Sequence, residues 1–356
     1  MWCYEAAMAE LVPPTPENVA RAAAALGRGE LVGMPTETVY GLAANALDAA
    51  AAARIFAAKE RPTFDPLIVH VPASTLAALE AAGLVDLAPL SATARALGER
   101  LVAALWPGPL TLVVPRGPKV PDLVTSGLAT VAVRAPRHPV AQALLAACGL
   151  PLAAPSANRF GRISPTSARD VAAELGGRVG LVLDGGPSEI GVESTVVALS
   201  PDGALTLLRP GGAPRETLEA LAGRSLATPA PGGPLAAPGM LASHYAPRTP
   251  LLVLPAAIAS LRGAPSPLPP GPIALLAFSG EAIDAARRFE GETGRRPLTT
   301  LVLSARGELA EAARNLFASL RALDGSGAAL IVAEPCPSDV GLGHAIRDRL
   351  ARAGAR

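Results

Sequence analysis

The chain has 356 residues, half of them apolar, with 31 basic against 30 acidic side chains and a net charge of +1. That length predicts two or three domains, and a mean hydropathy of +0.36 excludes global disorder. The near balance of charge excludes a whole-molecule field for nucleic acid or an acidic membrane, while leaving room for a local basic pocket.

In chain order, Pro16 near the start and Gly27 near the end predict a helix over 16–28. Glu30–Pro35 reads as a short apolar strand running into PTETVYGL, whose bland reading is a capped strand-to-helix turn. Asp48 as N-cap predicts a helix over 48–59, followed by a strand at Pro66–Val71 and helices at 73–82 and 91–104. Strands are expected at Leu110–Val114, Thr130–Arg134 and Leu152–Ala154, with a helix at 138–148. A helix at 166–175 and strands at Val179–Asp184, Ser194–Leu199 and Leu205–Arg209 complete this half. Many short strands in mixed order imply an α/β domain with a twisted, partly antiparallel sheet.

From Leu226 the composition turns to Pro, Gly and Ala, so 226–250 reads as an interdomain linker between a domain at 1–225 and one at 251–356. A second Pro-rich loop lies at 263–272. Beyond the linker, strands at Leu251–Leu254, Ile273–Phe278, Thr299–Leu303 and Ala329–Ala333 alternate with helices at 255–262, 280–289, 307–323 and 343–353. This pattern predicts a small parallel sheet covered on both faces.

Several chemistries are absent. No GK dipeptide occurs, so there is no Walker-type loop, and neither HExxH, GxSxG nor a zinc spacing of Cys and His is found. Cys3, Cys148 and Cys336 are widely spaced and odd in number, which argues against a disulfide framework and for a reducing, cytoplasmic compartment. Cys148 falls in an apolar helix and is expected to be inert. The opening MWCYEAAMAE lacks the charge pattern of a signal peptide, and no uncharged apolar run is long enough to span a membrane.

The chemical signal lies in polar loops between apolar strands. In KERP, Lys59 and Arg61 are two apart; on an extended segment they face one way and suit a polyphosphate, whereas at a helix end they suit only the macrodipole. PSAN supplies Ser156 and Asn158, able to bind phosphate or ribose without added charge, although both are ordinary turn residues. Ser164 and Thr166 suit a helix cap, and Ser194 and Thr195 open a strand. Arg134 and Arg209 each end a strand and hint at an anion pocket.

The ordered set PTETVYGL, KERPxxxPLIVH, WPGPLT, VAVRAPRHP, APSAN, GVESTVV and LLRPGG resembles the YrdC-type family of threonylcarbamoyl-AMP synthases over roughly 15–225. APGMLASHYAP and GLGHAIRDRL resemble the family's two-domain form. The resemblance implies a YrdC-like twisted mixed sheet plus a smaller Rossmann-like parallel α/β domain. It implies condensation of L-threonine, bicarbonate and ATP to threonylcarbamoyl-AMP and pyrophosphate, with Mg2+ accompanying ATP and no assignable metal ligand. The adenylate would feed a downstream tRNA threonylcarbamoyl-transferase complex.

By the same resemblance, Lys59 and Arg61 are the catalytic pair. ATP contacts fall on Lys59, Arg61, Thr63, Thr130, Ser156, Asn158, Ser164, Arg209 and Tyr245, and threonine contacts on Thr36, His70, Arg134, Ala154 and Ser194. Glu37 is a metal candidate only by its proximity to Thr36. The linker departs from the family in lacking a basic residue near Leu241 or Ser243. The competing reading is a YrdC-like RNA-binding module without synthase activity. Near-zero charge and few aromatic residues weigh against it. Carbamoyl transfer of the hydrogenase-maturation type would need acylphosphatase and zinc-finger segments, which this chain lacks.

Overall fold

The computed structural model describes residues 9–229, 243–258 and 268–355. The Cys3 position, most of the expected linker and parts of the 255–262 helix and the 263–272 loop lie outside the described residues. The described chain forms two compact units. One holds residues 9–160, 165–189 and 193–229; the other holds 161–164, 190–192, 243–258 and 268–355.

The first unit is built on a ten-stranded mixed sheet. Its elements are β1 (Glu10–Val12), α1 (Pro16–Gly27), β2 (Val32–Met34), β3 (Gly41–Asn45), α2 (Ala49–Lys59), β4 (Ile68–His70), α3 (Leu76–Ala81) and α4 (Ala92–Leu105). They continue with β5 (Leu110–Pro115), α5 (Asp122–Thr125), β6 (Thr130–Arg134), α6 (Pro139–Cys148), β7 (Leu152–Ala153), α7 (Ala168–Leu175), β8 (Leu181–Leu183), β9 (Thr195–Leu199), β10 (Leu205–Arg209) and α8 (Arg215–Ala222). The strand order is β1-β8-β2-β3-β7-β4-β6-β5-β9-β10.

Local chemistry sets the helix starts. Asp48 accepts from the amides of Ala50 and Ala51, as expected of an N-cap. The cap of α7 is Ser167 with Asp170 in a reciprocal capping box, rather than Ser164 or Thr166. PTETVYGL does not lead into a helix: Pro35–Tyr40 joins β2 to the antiparallel β3. The strands β1 and β3 and the helices α5 and α8 were not anticipated; β1 and α5 carry too few residues to show a period.

The alternation of side chains separates two faces of the sheet. Val69, Val131, Val133, Leu112, Val197 and Leu207 enter the large core beneath α2 and α4. On the opposite face, α1 and α6 cover β1, β8, β2, β3 and β7. The rest of that face carries a small cluster made only of strand residues: Ile68, Val113, Ala132, Val196 and Leu208. This half of the sheet, whose apolar cluster takes no residue from a helix among the described residues, positions the site.

The second unit has a four-stranded parallel sheet, ordered β11-β14-β12-β13. Its strands are β11 (Leu251–Val253), β12 (Ile273–Ala277), β13 (Thr299–Val302) and β14 (Leu330–Ala333). Helices α9 (Ala282–Thr293), α10 (Leu309–Asp324) and α11 (Leu342–Gly354) alternate with them, matching the expected strands and the last three of the four expected helices. Among the described residues no helix is long and apolar enough to cross a membrane.

The loop after β10 is pinned onto the entry to β9. Thr195 Oγ1 donates to Ala213 O and accepts from its amide, and Gly212 N donates to Glu193 O. A Cβ on Gly211 would lie 2.3 Å from Glu193 O, inside the backbone. Gly211→Ala is therefore expected to lower the free energy of unfolding by about 1–3 kcal/mol, read by urea denaturation beside the wild type.

Candidate active site

Four side chains lie in a row across this half of the sheet. His70 pairs with Arg134 in the β4–β6 register, and continuing the β5–β6 register one step sets Thr111 opposite Arg134. Thr111 Oγ1 lies 2.7 Å from Ser194 Oγ. All four are buried.

Arg134 is held on three sides. Its Nε donates to Gly108 O at 3.2 Å and its Nη1 to Thr38 Oγ1 at 2.9 Å, while Nη2 lies 2.8 Å from Glu37 Oε1. Thr36 Oγ1 meets Thr38 Oγ1 at 2.8 Å and donates to Val39 O. The carboxyl of Glu37 sits below the usual carboxylate range: burial raises it, but Arg134 and the amides of Arg137 and Glu37 outweigh that. Burial and the Arg134 charge push the His70 imidazole down to about 3, so it is neutral.

A second group gathers around the end of α2. Lys59 is the last helical residue, Glu60 takes a left-handed φ of 53°, and Arg61 follows, so the pair is not on an extended segment. The two cations converge through this turn instead. Lys59 Nζ donates to the carbonyls of Ser156 and Asn158. Arg61 donates to Asp65 O and Pro66 O, and its Nη2 lies 2.9 Å from the Asp65 carboxylate. Burial drives the Lys59 amine well below the ordinary lysine range, Arg61 adds to this, and Asp65 and Glu174 oppose it. Burial raises the Asp65 carboxyl, while Arg61, Lys59 and Arg209 pull it down. Three cations thus sense one carboxylate.

Ser194 joins the two groups. Arg209, beside an irregularity in the β9–β10 register, donates through Nε and Nη2 to Ser194 O and through Nη2 to Ser194 Oγ.

The other expected residues fall as follows. Ser156 bridges Gly41, and Asn158 is buried with Nδ2 donating to Arg159 O. Ala154 is buried at the end of β7 with its amide on Ile68 O. Thr63 is exposed. Thr130 opens β6 on the same face as Arg134, about 13 Å along the strand, and lines a cavity of about 500 Å³ with Val113, Ala198 and Thr206.

Ser164 and Tyr245 belong to the second unit. Ser164 is buried there. Tyr245 has a φ of 64° and is also buried. Its ring packs beneath the Arg349 guanidinium at 4.8 Å and beside Phe317 at 5.6 Å.

Sequence reasoning did not single out Asp65 or Thr111, noted Thr38 only as a member of the PTET turn, and gave Glu37 no role beyond its proximity to Thr36. A polar residue flanked by apolar strand residues was the available signal for Thr111, whereas Glu37 lies between two threonines in the β2–β3 loop. Cys148 is half-buried, and burial pushes its thiol up, as expected of an inert cysteine.

A family profile described as "Telomere recombination", the Sua5/YciO/YrdC group, matches residues 24–211. One described as "Threonylcarbamoyl-AMP synthase, C-terminal domain" matches 213–355. The threonylcarbamoyl-AMP synthase of Pyrococcus abyssi is 40% identical over 336 residues, covering 93% of this chain and 92% of that protein. That of Bacillus subtilis is 38% identical over 344 residues, covering 94% and 92%. The chain belongs to this family, in its two-domain form. The crystal structure of P. abyssi Sua5 complexed with L-threonine aligns with a TM-score of 0.78 and 35% identity, covering 98% of this chain and 97% of that one. The expected α/β architecture is the family's.

His70 makes a pH prediction. Its folded pKa of about 3 lies below the ordinary 6.5, so between those values only the unfolded chain takes up the proton. This contribution is intact above pH 6.5 and is lost as pH falls toward 3, at up to ~1.4 kcal/mol per pH unit. Denaturation of His70→Asn between pH 6.5 and 4.5 is expected to show a shallower loss than the wild type.

Proposed function

We infer that this chain is an L-threonylcarbamoyladenylate synthase that uses the face of its first sheet carrying the Arg134 row. The observation that carries the reading is Ser194. It links a cationic group, suited to a triphosphate, to a buried Arg134 row of hydroxyl and charged groups, suited to a small amino acid.

Lys59, Arg61 and Arg209 supply positive charge for the triphosphate and the leaving pyrophosphate. Lys59 does so from behind the Ser156–Asn158 loop, which its ammonium holds in place. Ser156, Asn158 and Thr130 orient the nucleotide, and the cavity beside Thr130 lies along the strand from Arg134. Thr63 completes the nucleotide contacts that the first unit supplies. Arg134 takes the threonine carboxylate, with Thr36, His70, Ala154 and Ser194 around the remaining groups.

The threonine amine adds to CO2, derived from bicarbonate, and loses a proton to give a carbamate. A carbamate oxygen attacks the α-phosphorus, the bond to the β-phosphoryl oxygen breaks, and pyrophosphate leaves. Such chemistry rests on positioning and charge neutralisation and needs no covalent enzyme intermediate. The product is a mixed anhydride, an acyl donor, so its consumer is an acyl transferase; a tRNA threonylcarbamoyl-transferase complex fits.

Mg2+ would arrive with ATP on phosphate oxygens. Among the described residues no group of three or more His, Cys, Asp or Glu could hold an ion, and Asp65 is engaged by Arg61. The side chains present therefore do not form a resident metal site, and no step is assigned to one. The synthase relatives favour this reading over an RNA-binding module, although direct RNA contact is compatible with it.

The test is pyrophosphate release from ATP with bicarbonate and single amino acids. Release is expected only with threonine among the common amino acids, together with the adenylate. Arg209→Ala is expected to lower kcat/KM for ATP by about 10- to 100-fold, the loss of one or two charge-assisted hydrogen bonds. Salt-sensitive RNA binding without threonine-dependent ATP cleavage would overturn the reading.

A further inference from the structure

The pair formed by Glu37 and Arg134 is buried more deeply than ion-pair bookkeeping favours. Both side chains are at least 96% covered, with relative exposures of 2% and 4%. Taking two such charges from water costs several kcal/mol per ion, and their attraction does little more than offset it. A pair held there for stability alone is a poor investment, so its geometry is the informative part.

Glu37 comes from the β2–β3 loop and Arg134 from the end of β6, 97 positions apart in the chain and joined at 2.8 Å. Thr38, next to Glu37, holds the other arm of the same guanidinium at 2.9 Å, and Thr36 holds Thr38. One loop thus grips both arms of the fork, and Gly108 O fixes its Nε. An arginine has five N–H bonds in a rigid plane. Hydrogen bonds hold Nε and Nη1 and the ion pair to Glu37 holds Nη2, so the plane and rotation of the guanidinium are fixed. The charged and titratable groups that sense Glu37 are Arg134, His70 and His138, and both histidines lie below their ordinary pKa.

We propose that Glu37 is a positioning residue for amino-acid recognition: it orients Arg134 so that the guanidinium meets the threonine carboxylate. The inference rests on the functional reading above, in which Arg134 takes that carboxylate. Glu37 then touches neither substrate nor reacting atoms. It sets how tightly an α-carboxylate binds and leaves the chemical step alone.

The test uses the full chain and Glu37→Gln, which keeps size and removes charge. Calorimetric binding of L-threonine and of L-threoninamide, which lacks the carboxylate, is measured without turnover. In pyrophosphate release, KM for threonine is expected to rise about 10- to 100-fold, as for other residues that orient a ligand-binding group, while kcat and KM for ATP stay within about twofold. Threonine affinity falls by the same factor, and threoninamide affinity does not change. Glu37→Asp recovers part of the loss.

Equal weakening of both ligands would overturn the proposal, because Glu37 would then act on the ammonium or on the fold. Unchanged threonine affinity would also overturn it. If the wild type binds threonine yet releases no pyrophosphate, the functional reading fails while the binding pair still decides the role of Glu37. Should Glu37→Gln not fold, Thr38→Val removes the companion anchor without touching charge. It must show the same threonine-selective weakening, and its absence overturns the proposal.

Discussion

A single buried carboxylate lets three cations share the proposed anion site. Lys59, Arg61 and Arg209 would repel one another in a dry loop cluster; Asp65 sits among them and lowers that repulsion. Burial still leaves the Lys59 amine destabilised as a cation. In the proposed function an arriving polyanion relieves the same strain, and the charge that meets it is in place beforehand. Preorganised charge of this kind needs no rearrangement at the moment of reaction.

The proposed amino-acid half of the site follows from the period of two along a strand. The same alternation that sends Val131 and Val133 into the large core places Ala132 and Arg134 on the other face. Where α1 and α6 cover that face it is apolar core; beyond them it carries His70, Thr111, Arg134 and Ser194. Fold and site are thus two sides of one pattern: the half packed by α1 and α6 is apolar core, and the other half carries the polar row.

Much of this was legible beforehand. The strand ending at Arg134 has the bounds its apolar alternation predicted, and the motif loops lie at strand ends as expected. The turn at Lys59 was harder, because a left-handed residue such as Glu60 leaves no mark in apolar periodicity. Asp65 and Thr111 were passed over for another reason. Asp65 matters through Lys59 and Arg209 as well as its neighbour Arg61, and Thr111 through Ser194, 83 positions away. Local patterns report which face a side chain occupies, and only the topology reports what meets it there.

The seat of Lys59 also bears on composition. Of the basic residues only Lys59 and Lys119 are lysines, and arginine supplies every other positive side chain. At position 59 the head group must fit between two main-chain oxygens, those of Ser156 and Asn158, in a space closed to water. A compact tetrahedral ammonium can do that; a flat, wider guanidinium would wedge the two carbonyls apart. Whatever pressure fills this protein with arginine stops at that gap, where the shape of the charge counts for more than its sign.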